Sequence, residues 1–209
     1  MSAALEAILD APSRSVWAYV RRPAVVRAAP AHEAPVLGRL AAETGFGTRE
    51  VVLVLDRAGR WLNVRSPLEP NGTTGWIARN AVDELRTTRR ALVVDTAGLT
   101  ATLLRDGDVL WSAHVAAGNA EWPTPTGDFY VRLRYVPSER TPLYGPFAFV
   151  TSGIVAREPW PGARFVSLHG TNRPDLIPGR VSAGCIRVTN EDVLELRPLL
   201  GVGTPVTIV

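Results

Sequence analysis

The sequence has a single cysteine, Cys185, and no lysine among its 209 residues. One cysteine excludes an intramolecular disulfide and any cysteine-rich zinc or iron–sulfur site. The three histidines lie far apart in the sequence, so no metal site is predicted either. If Cys185 takes part in chemistry, it does so as a thiol.

Long apolar runs are also missing, since none approaches the roughly 18 residues that would predict a membrane span. Residues 1–16 predict a short amphipathic helix or a frayed tail. They carry no basic segment at their start, and Glu6 and Asp10 interrupt the apolar stretch, so no export signal is visible. Two interpretations stay open: the protein remains inside the cell, or a leader has been removed.

The chain has no blocks of one charge. Its 23 basic residues, all arginine, and 20 acidic residues leave a net charge of +3, and 46% of the residues are hydrophobic. This composition is typical of a globular protein and excludes intrinsic disorder. No run of arginines exceeds two residues, so we expect scattered surface charge and no nucleic-acid partner.

Residues 17–86 alternate short apolar segments with turn residues, which predicts a small β-barrel domain. The segments are 24–27, 36–40, 51–55, 61–64 and 76–78. The strings A-V-V-R-A-A-P, V-L-G-R-L, R-W-L-N-V-R and G-T-T-G-W-I resemble those of the bacterial SH3-like domain. That resemblance implies a module that docks on cell-wall polymer or packs on a catalytic partner. We expect Trp61 and Trp76 to fill its core rather than to form a ligand platform.

Residues 87–209 predict a second domain, which is mostly β and follows a polar linker at residues 85–90. A hairpin turn at Asp106-Gly107 separates two of its strands, and residues 205–209 form a last strand. One C-terminal helix is predicted after Thr189, which can cap it, with Asp192 at the capping-box position. The predicted fold is therefore mainly β, with two domains.

Cys185 and His169 are the candidate chemical residues. Only a thiolate attacks efficiently, so we expect positive surroundings or an imidazole to lower the pKa of Cys185. Gly184 precedes it and allows backbone N–H groups to converge on a developing oxyanion. His169 ends an apolar strand and is followed by Gly170. From the residues alone, a Cys–His acyl-transfer site and two structural side chains both stay open.

Four strings resemble the signature of the L,D-transpeptidase catalytic domain, the YkuD type, over residues 90–209. They are T-P-T-G-D-F at 124–129, Y-G-P-F at 144–147, L-H-G-T at 168–171 and S-A-G-C-I-R-V at 182–188. The resemblance implies cleavage of the bond between a diamino acid and the terminal D-alanine of a peptidoglycan tetrapeptide stem. The acyl group then passes to an amine or to water. It also implies the cell envelope as location, peptidoglycan stem peptides as partners, and no cofactor.

Carried onto this sequence, the resemblance implies that Cys185 is the nucleophile and His169 the base, with the Gly170 carbonyl orienting the imidazole. The backbone N–H groups of Gly184 and Cys185, with that of Ala183 as a third candidate, would form the oxyanion hole.

Three further residues are implied to serve the substrate. Ser182 and Arg187 would brace the nucleophile loop, with a substrate carboxylate as a second partner for Arg187. Tyr144 would line the substrate groove under a lid at residues 137–145.

One position departs from the pattern, because many family members have histidine where this chain has Ala183. His169 is then the only histidine placed to act as base. The alternatives that stay open are an L,D-carboxypeptidase or endopeptidase that uses water, and a peptidoglycan-binding protein with a decayed site. A papain-like protease is disfavoured because its cysteine precedes its histidine.

Overall fold

The computed structural model describes residues 2–138, 141–159 and 162–209, and its regular structure is mainly β. The described residues contain two α-helices and three short 3-10 turns. These are α1 (Ala3–Leu9), α2 (Asn190–Leu196), and the turns Arg79–Ala81, Pro142–Tyr144 and Pro174–Leu176. Among the described helices, none has the length and apolar character needed to cross a membrane.

The strands form two sheets that follow one another along the chain. The first sheet contains β1 (Ser15–Tyr19), β2 (Ala24–Arg27), β3 (Val36–Leu40), β4 (Val51–Ala58), β5 (Trp61–Arg65), β6 (Thr74–Ala78) and β7 (Arg86–Thr88). Its spatial order is β3-β2-β6-β5-β4-β1-β7.

Buried apolar residues of the first sheet and of the turn after β6 form one hydrophobic core. That core contains Ala18, Val20, Ala24, Val26, Leu40, Val52, Leu62, Val64, Ile77, Ala81 and Val82. Trp61 is buried, whereas Trp76 is only partly buried. The predicted linker at 85–90 is wrong in part, because β7 lies inside it and pairs with β1. The two threonines of β7 are polar and β-branched, as is common in an exposed edge strand. In the sequence, their polarity was interpreted as a linker.

The second sheet starts at β8 (Arg90–Asp95), directly after β7. Its other strands are β9 (Thr100–Arg105), β10 (Asp108–His114), β11 (Ala116–Gly118), β12 (Gly127–Tyr135), β13 (Ala148–Ile154), β14 (Phe165–His169), β15 (Gly179–Ser182), β16 (Ile186–Arg187) and β17 (Pro205–Ile208). Its spatial order is β10-β9-β8-β17-β12-β13-β14-β16-β11-β15.

Helix α2 is the predicted C-terminal helix. The Thr189 hydroxyl accepts a hydrogen bond from the Asp192 N–H and donates one to the Asp192 carboxylate, so the cap forms as the sequence predicts. Val193 and Leu196 of α2 are buried in the core of the second sheet. The helix therefore packs on the sheet that carries Cys185 and His169.

The two sheets meet along β12. Its side chains alternate, with Phe129 and Val131 in the core of the second sheet and Tyr130 packed against Trp17, Val51 and Leu53 of the first. The Tyr130 hydroxyl donates to the Val51 carbonyl at 2.8 Å. Because Tyr130 is fully buried there, the sheets share a continuous interior at this point.

An ion pair lies beside Tyr130 in the same interface. Arg132 of β12 forms a two-point contact with Glu50, in which Nε donates to Oε1 at 2.7 Å and Nη2 donates to Oε2. Glu50 is 2% exposed and Arg132 is 9% exposed. Glu50 also accepts the Val51 N–H, so its charge is satisfied by both sheets.

Candidate active site

Strand β14 presents alternate side chains to two environments. Val166 and Leu168 lie in the core of the second sheet, so Phe165, Ser167 and His169 project from the opposite face. β14 pairs in parallel with β16, with Leu168 opposite Ile186 and His169 opposite Arg187. This register places Ser167 and His169 beside the cysteine that precedes β16.

The His169 imidazole is held by the backbone that follows it. Its Nδ1 lies 2.6 Å from the Gly170 carbonyl oxygen, which can only accept, so Nδ1 carries the proton and Nε2 has a free lone pair. The pKa of His169 is lowered from 6.5 to about 4, chiefly by burial; the Gly170 hydrogen bond opposes this shift, and the Arg187 charge contributes to it. At neutral pH the ring is therefore uncharged and able to take a proton on Nε2.

The Y-G-P-F string packs directly on His169 and Gly170. The Tyr144 and His169 rings have centroids 4.6 Å apart. A Cβ at Gly145, whose φ is +62°, would lie 2.7 Å from the Gly170 backbone, so only glycine permits this approach. Within the predicted lid at 137–145, residues 139 and 140 lie outside the described residues, and Pro142–Tyr144 forms a 3-10 turn.

Cys185 follows a tight turn between β15 and β16. Ser182 braces this turn, because its hydroxyl donates to the Cys185 carbonyl at 2.5 Å and accepts the Gly184 N–H at 3.2 Å. Gly184 has φ +101°, and a Cβ there would meet Val155 at 2.9 Å. The sequence expectation that glycine is needed before the cysteine thus has a steric cause.

The Gly184 N–H, one of the three predicted oxyanion donors, donates to the Ser182 hydroxyl at 3.2 Å. The N–H groups of Gly184 and Cys185, with that of Ala183 as a third candidate, stay the predicted donors.

The expectation that surroundings lower the pKa of Cys185 is wrong. Burial raises it above its ordinary value of 9.0, although the Ser167 N–H and hydroxyl and the Arg187 charge act in the opposite direction. Both members of the Cys–His pair are therefore neutral at rest. The arrangement favours proton transfer during attack over a preformed thiolate–imidazolium pair.

Two small cavities adjoin Cys185. The first, about 10 Å³, is lined by Cys185, His169, Arg187 and Ala183, with Leu143, Tyr144, Pro159 and Ala163 above them. The second, about 40 Å³, is lined by Cys185 and Ser167 together with Phe46, Tyr135, Tyr144, Val150, Gly162, Ala163 and Phe165. The thiol therefore lies between a cavity that holds the base and one that is largely aromatic.

Arg187 lines the first cavity with its Nε atom buried and, within the described residues, without a hydrogen-bond partner. A buried guanidinium donor of this kind is suited to an anionic group of a ligand. No group of histidine, cysteine or acidic side chains in the described ranges could hold a metal ion.

The structure brings together every site residue that the sequence singled out. The T-P-T-G string lies one strand away: the Thr124 hydroxyl accepts the Gly118 N–H at 2.8 Å, and Gly118 pairs with Ser182. Three residues were missed: Ser167, Asn71 and Phe46. Ser167 was predictable from its spacing of two before His169, which places both on one face of a strand. Asn71 and Phe46 lie in loops of the first sheet and gave no signal.

The site is thus of the thiol–imidazole class, with a neutral histidine at the end of β14 and a cysteine in the turn before the neighbouring parallel strand β16. Comparison with known proteins agrees: the model of the L,D-transpeptidase catalytic domain, YkuD, matches residues 89–208. A YkuD protein of Bacillus subtilis (strain 168), assigned as an L,D-transpeptidase, is 35% identical over 117 residues, which are 56% of this chain and 64% of that protein. The chain thus spans less than two thirds of that relative.

Solved structures of the same family are also similar. The catalytic domain of the Enterococcus faecium L,D-transpeptidase has 23% identity and a TM-score of 0.42, covering 57% of this chain and 95% of that one. An L,D-transpeptidase from Mycobacterium smegmatis has 16% identity and a TM-score of 0.47, covering 92% and 99%. The family model matches residues 89–208, which are more than half of this chain. The chain therefore belongs to the L,D-transpeptidase catalytic domain family, YkuD.

Proposed function

We propose that this protein is a peptidoglycan L,D-transpeptidase that uses Cys185 as nucleophile and His169 as base. The observation that carries the proposal is the shared cavity of Cys185 and His169, with the His169 Nδ1 proton fixed on the Gly170 carbonyl. That bond leaves Nε2 unprotonated, and it replaces the carboxylate that orients the histidine in a Ser-His-Asp triad.

The reaction starts from the neutral pair. His169 Nε2 takes the thiol proton as Cys185 Sγ attacks the carbonyl carbon between the diamino acid and the terminal D-alanine. The tetrahedral oxyanion is stabilised by the N–H groups of Gly184 and Cys185, with that of Ala183 as a third candidate. As the C–N bond breaks, the imidazolium returns its proton to the leaving amine, which gives free D-alanine and a thioester on Cys185.

The second half runs the same proton path in reverse. An amine of a second stem attacks the thioester, His169 accepts a proton from it, and the thiol of Cys185 is regenerated. The net result is a new amide cross-link in place of the D-alanine bond. If water replaces the amine, the product is a shortened stem, which is the carboxypeptidase outcome.

Arg187 and Tyr144 are proposed to position the donor stem. The buried Nε of Arg187 can donate to the D-alanine carboxylate, on the side of Cys185 where His169 lies. The Tyr144 ring covers the imidazole and shields the proton transfer from water. Ser182 acts on the turn that holds Cys185 and does not contact substrate.

The region 1–86 is proposed to be a short helix followed by an SH3-like module at 17–86, with 87–209 as the catalytic domain. The module packs on the catalytic sheet through Tyr130 and Arg132, and cell-wall polymer is its proposed ligand. The proposed location is the cell envelope, where the stem peptides are found.

A direct experiment tests the chemistry. Intact-mass spectrometry after incubation with a carbapenem should show one covalent adduct on the wild type and none on Cys185→Ser or His169→Ala. His114→Asn, at an exposed strand position, serves as the matched histidine control and should acylate normally. An adduct formed by His169→Ala at the wild-type rate would contradict the proposal, and a wild type without an adduct would favour a decayed binding protein.

Product analysis separates the two enzymatic outcomes. Purified muropeptides with tetrapeptide stems should yield cross-linked dimers and free D-alanine. Tripeptide without dimers would identify water as the acceptor.

A further inference from the structure

A loop of the first sheet reaches the aromatic cavity beside Cys185. The loop joins β3 to β4, and Phe46 lies at its tip. The loop forms a hydrogen-bonded turn. The Thr44 N–H donates to the Thr48 carbonyl at 2.7 Å, the Phe46 N–H donates to the Thr44 hydroxyl at 3.2 Å, and Gly47 has φ +69°. The position of Phe46 is thus fixed by local hydrogen bonds.

Phe46 extends from this turn to the second sheet. Its ring centroid lies 5.3 Å from that of Tyr135, and both rings line the cavity that Cys185 adjoins. Half of the Phe46 surface stays exposed, so the ring forms the outer wall of the cavity and one of its faces meets solvent. Any group that enters this cavity beside Cys185 would therefore contact the Phe46 ring.

The cavity is uncharged and apolar. Besides Phe46 and Cys185 it is lined by tyrosine, phenylalanine, valine, alanine, glycine and serine, and none of the lining residues in the described ranges is charged. Burial raises the pKa of Tyr135 to about 12, so its hydroxyl stays neutral. With a volume of about 40 Å³, the cavity has room for a few methylene groups and not for a ring.

The two cavities can be assigned to the two sides of the bond that is cleaved. His169 must protonate the leaving amine, so the leaving group lies on the side of Cys185 that His169 and Arg187 line. The acyl side of the bond then faces the cavity that Phe46 closes.

We propose that Phe46, although it belongs to the first sheet, completes a subsite for the side chain of the acyl-donor residue. The subsite binds the aliphatic part of that side chain. The polar end of the side chain extends past the exposed edge of Phe46 into water. This inference rests on the function proposed above and adds to it a specificity-determining residue outside the catalytic sheet.

The test compares donor tetrapeptides that differ only in the acyl-donor residue, one with lysine and one with alanine. We expect wild-type kcat/KM for D-alanine release to favour the lysine donor, because its methylenes contact Phe46. Phe46→Ala should reduce kcat/KM for the lysine donor by roughly tenfold, the range for lost apolar contact in a pocket. It should change the value for the alanine donor by less than about twofold.

Two variants serve as controls. Phe46→Trp keeps an aromatic ring at the cavity wall and should keep the preference for the lysine donor. Val36→Ala removes a half-exposed apolar side chain of β3 that does not line the cavity, so both donors should react as with the wild type.

Two outcomes would overturn the inference: an equal loss for both donors, or an unchanged preference in Phe46→Ala. Carbapenem acylation of the same variants separates this from a failure of the proposed function. A failed subsite leaves acylation intact in wild type and Phe46→Ala, whereas a failed function gives no acylation of the wild type.

Discussion

Two polar pairs in the described part of the chain meet the cost of desolvation in opposite ways. In the interface between the sheets, Glu50 and Arg132 are buried as an ion pair with two charge-assisted hydrogen bonds. At the site, His169 is buried and Cys185 is partly buried. Desolvation raises the pKa of the thiol and lowers that of the imidazole, so both side chains are neutral at pH 7. The first pair keeps its charges by pairing them, whereas the second avoids charge.

The two pairs are linked by one contact. The Arg132 guanidinium lies 4.3 Å from the centre of the Phe165 ring, and Phe165 lines the cavity beside Cys185. The interface ion pair therefore contacts one wall of the site.

The largest expected effect comes from breaking the interface pair. Arg132→Met leaves the Glu50 carboxylate buried without its partner, and we expect the free energy of unfolding to fall by about 3–5 kcal/mol. Urea unfolding followed by tryptophan fluorescence measures it. The double variant Glu50→Met, Arg132→Met should recover much of the loss, since no buried charge remains. A loss below about 1 kcal/mol in the single variant would show that the pair is not buried as described.

The neutral pair predicts a pH-dependent stability. His169 has a folded pKa of about 4, below its unfolded value of 6.5, so between these values the unfolded chain binds the extra proton. Stability is therefore complete above about pH 6.5 and is lost as the pH falls toward 4, by about 2 kcal/mol at pH 5. Carboxylates add their own dependence, so the readout is the difference between wild type and His169→Asn in urea unfolding at pH 8 and pH 5. His114→Asn is the matched control and should behave as wild type, and equal slopes in all three proteins would contradict the assignment.

A smaller loss of stability is expected from a loop of the first sheet that lies near the turn before Cys185. The Asn71 amide makes two hydrogen bonds of 2.8 Å to the backbone of Ile154, one donated and one accepted. The next residue, Val155, packs where a side chain at Gly184 would lie.

Asn71→Ala should cost about 1–2 kcal/mol in urea unfolding, since two hydrogen bonds are lost. It should also slow carbapenem acylation, because Val155 no longer holds the turn. Asn80→Ala, which removes an exposed contact of Arg22, should do neither. Unchanged acylation in Asn71→Ala would confine the role of Asn71 to stability.

The sequence predicted the family of residues 89–208 because its motifs are local. Three of the four glycines that the strings mark have a steric reason in the structure: Gly145, Gly170 and Gly184. The capped helix and the mainly β fold also follow from local patterns. The assignment of the first sheet as an SH3-like domain stays a prediction.

What the sequence could not predict depends on packing between distant segments. Phe46, Asn71 and Glu50 reach the second sheet from loops and from the residue before a strand, and nothing in their neighbours marks them. The direction of the Cys185 pKa was also wrong, because burial of the thiol is a property of the folded site. The neighbouring residues in the sequence suggested a lowered pKa for Cys185, whereas the fold removes water from the thiol and so raises its pKa.

The smallest expected effect concerns the thiol itself. Since Cys185 is the sole cysteine, the rate of alkylation by iodoacetamide, followed by intact mass, reports its pKa directly. We expect slow reaction at pH 7 and an inflection above pH 9, because burial raises the pKa and the Ser167 hydroxyl opposes this only in part. Ser167→Ala removes that donor and should move the inflection to higher pH, while Ser112→Ala, on an exposed face of β10, should leave it unchanged. An inflection near pH 7 in the wild type would mean a preformed thiolate, and the site pair would then be ionic like Glu50 and Arg132.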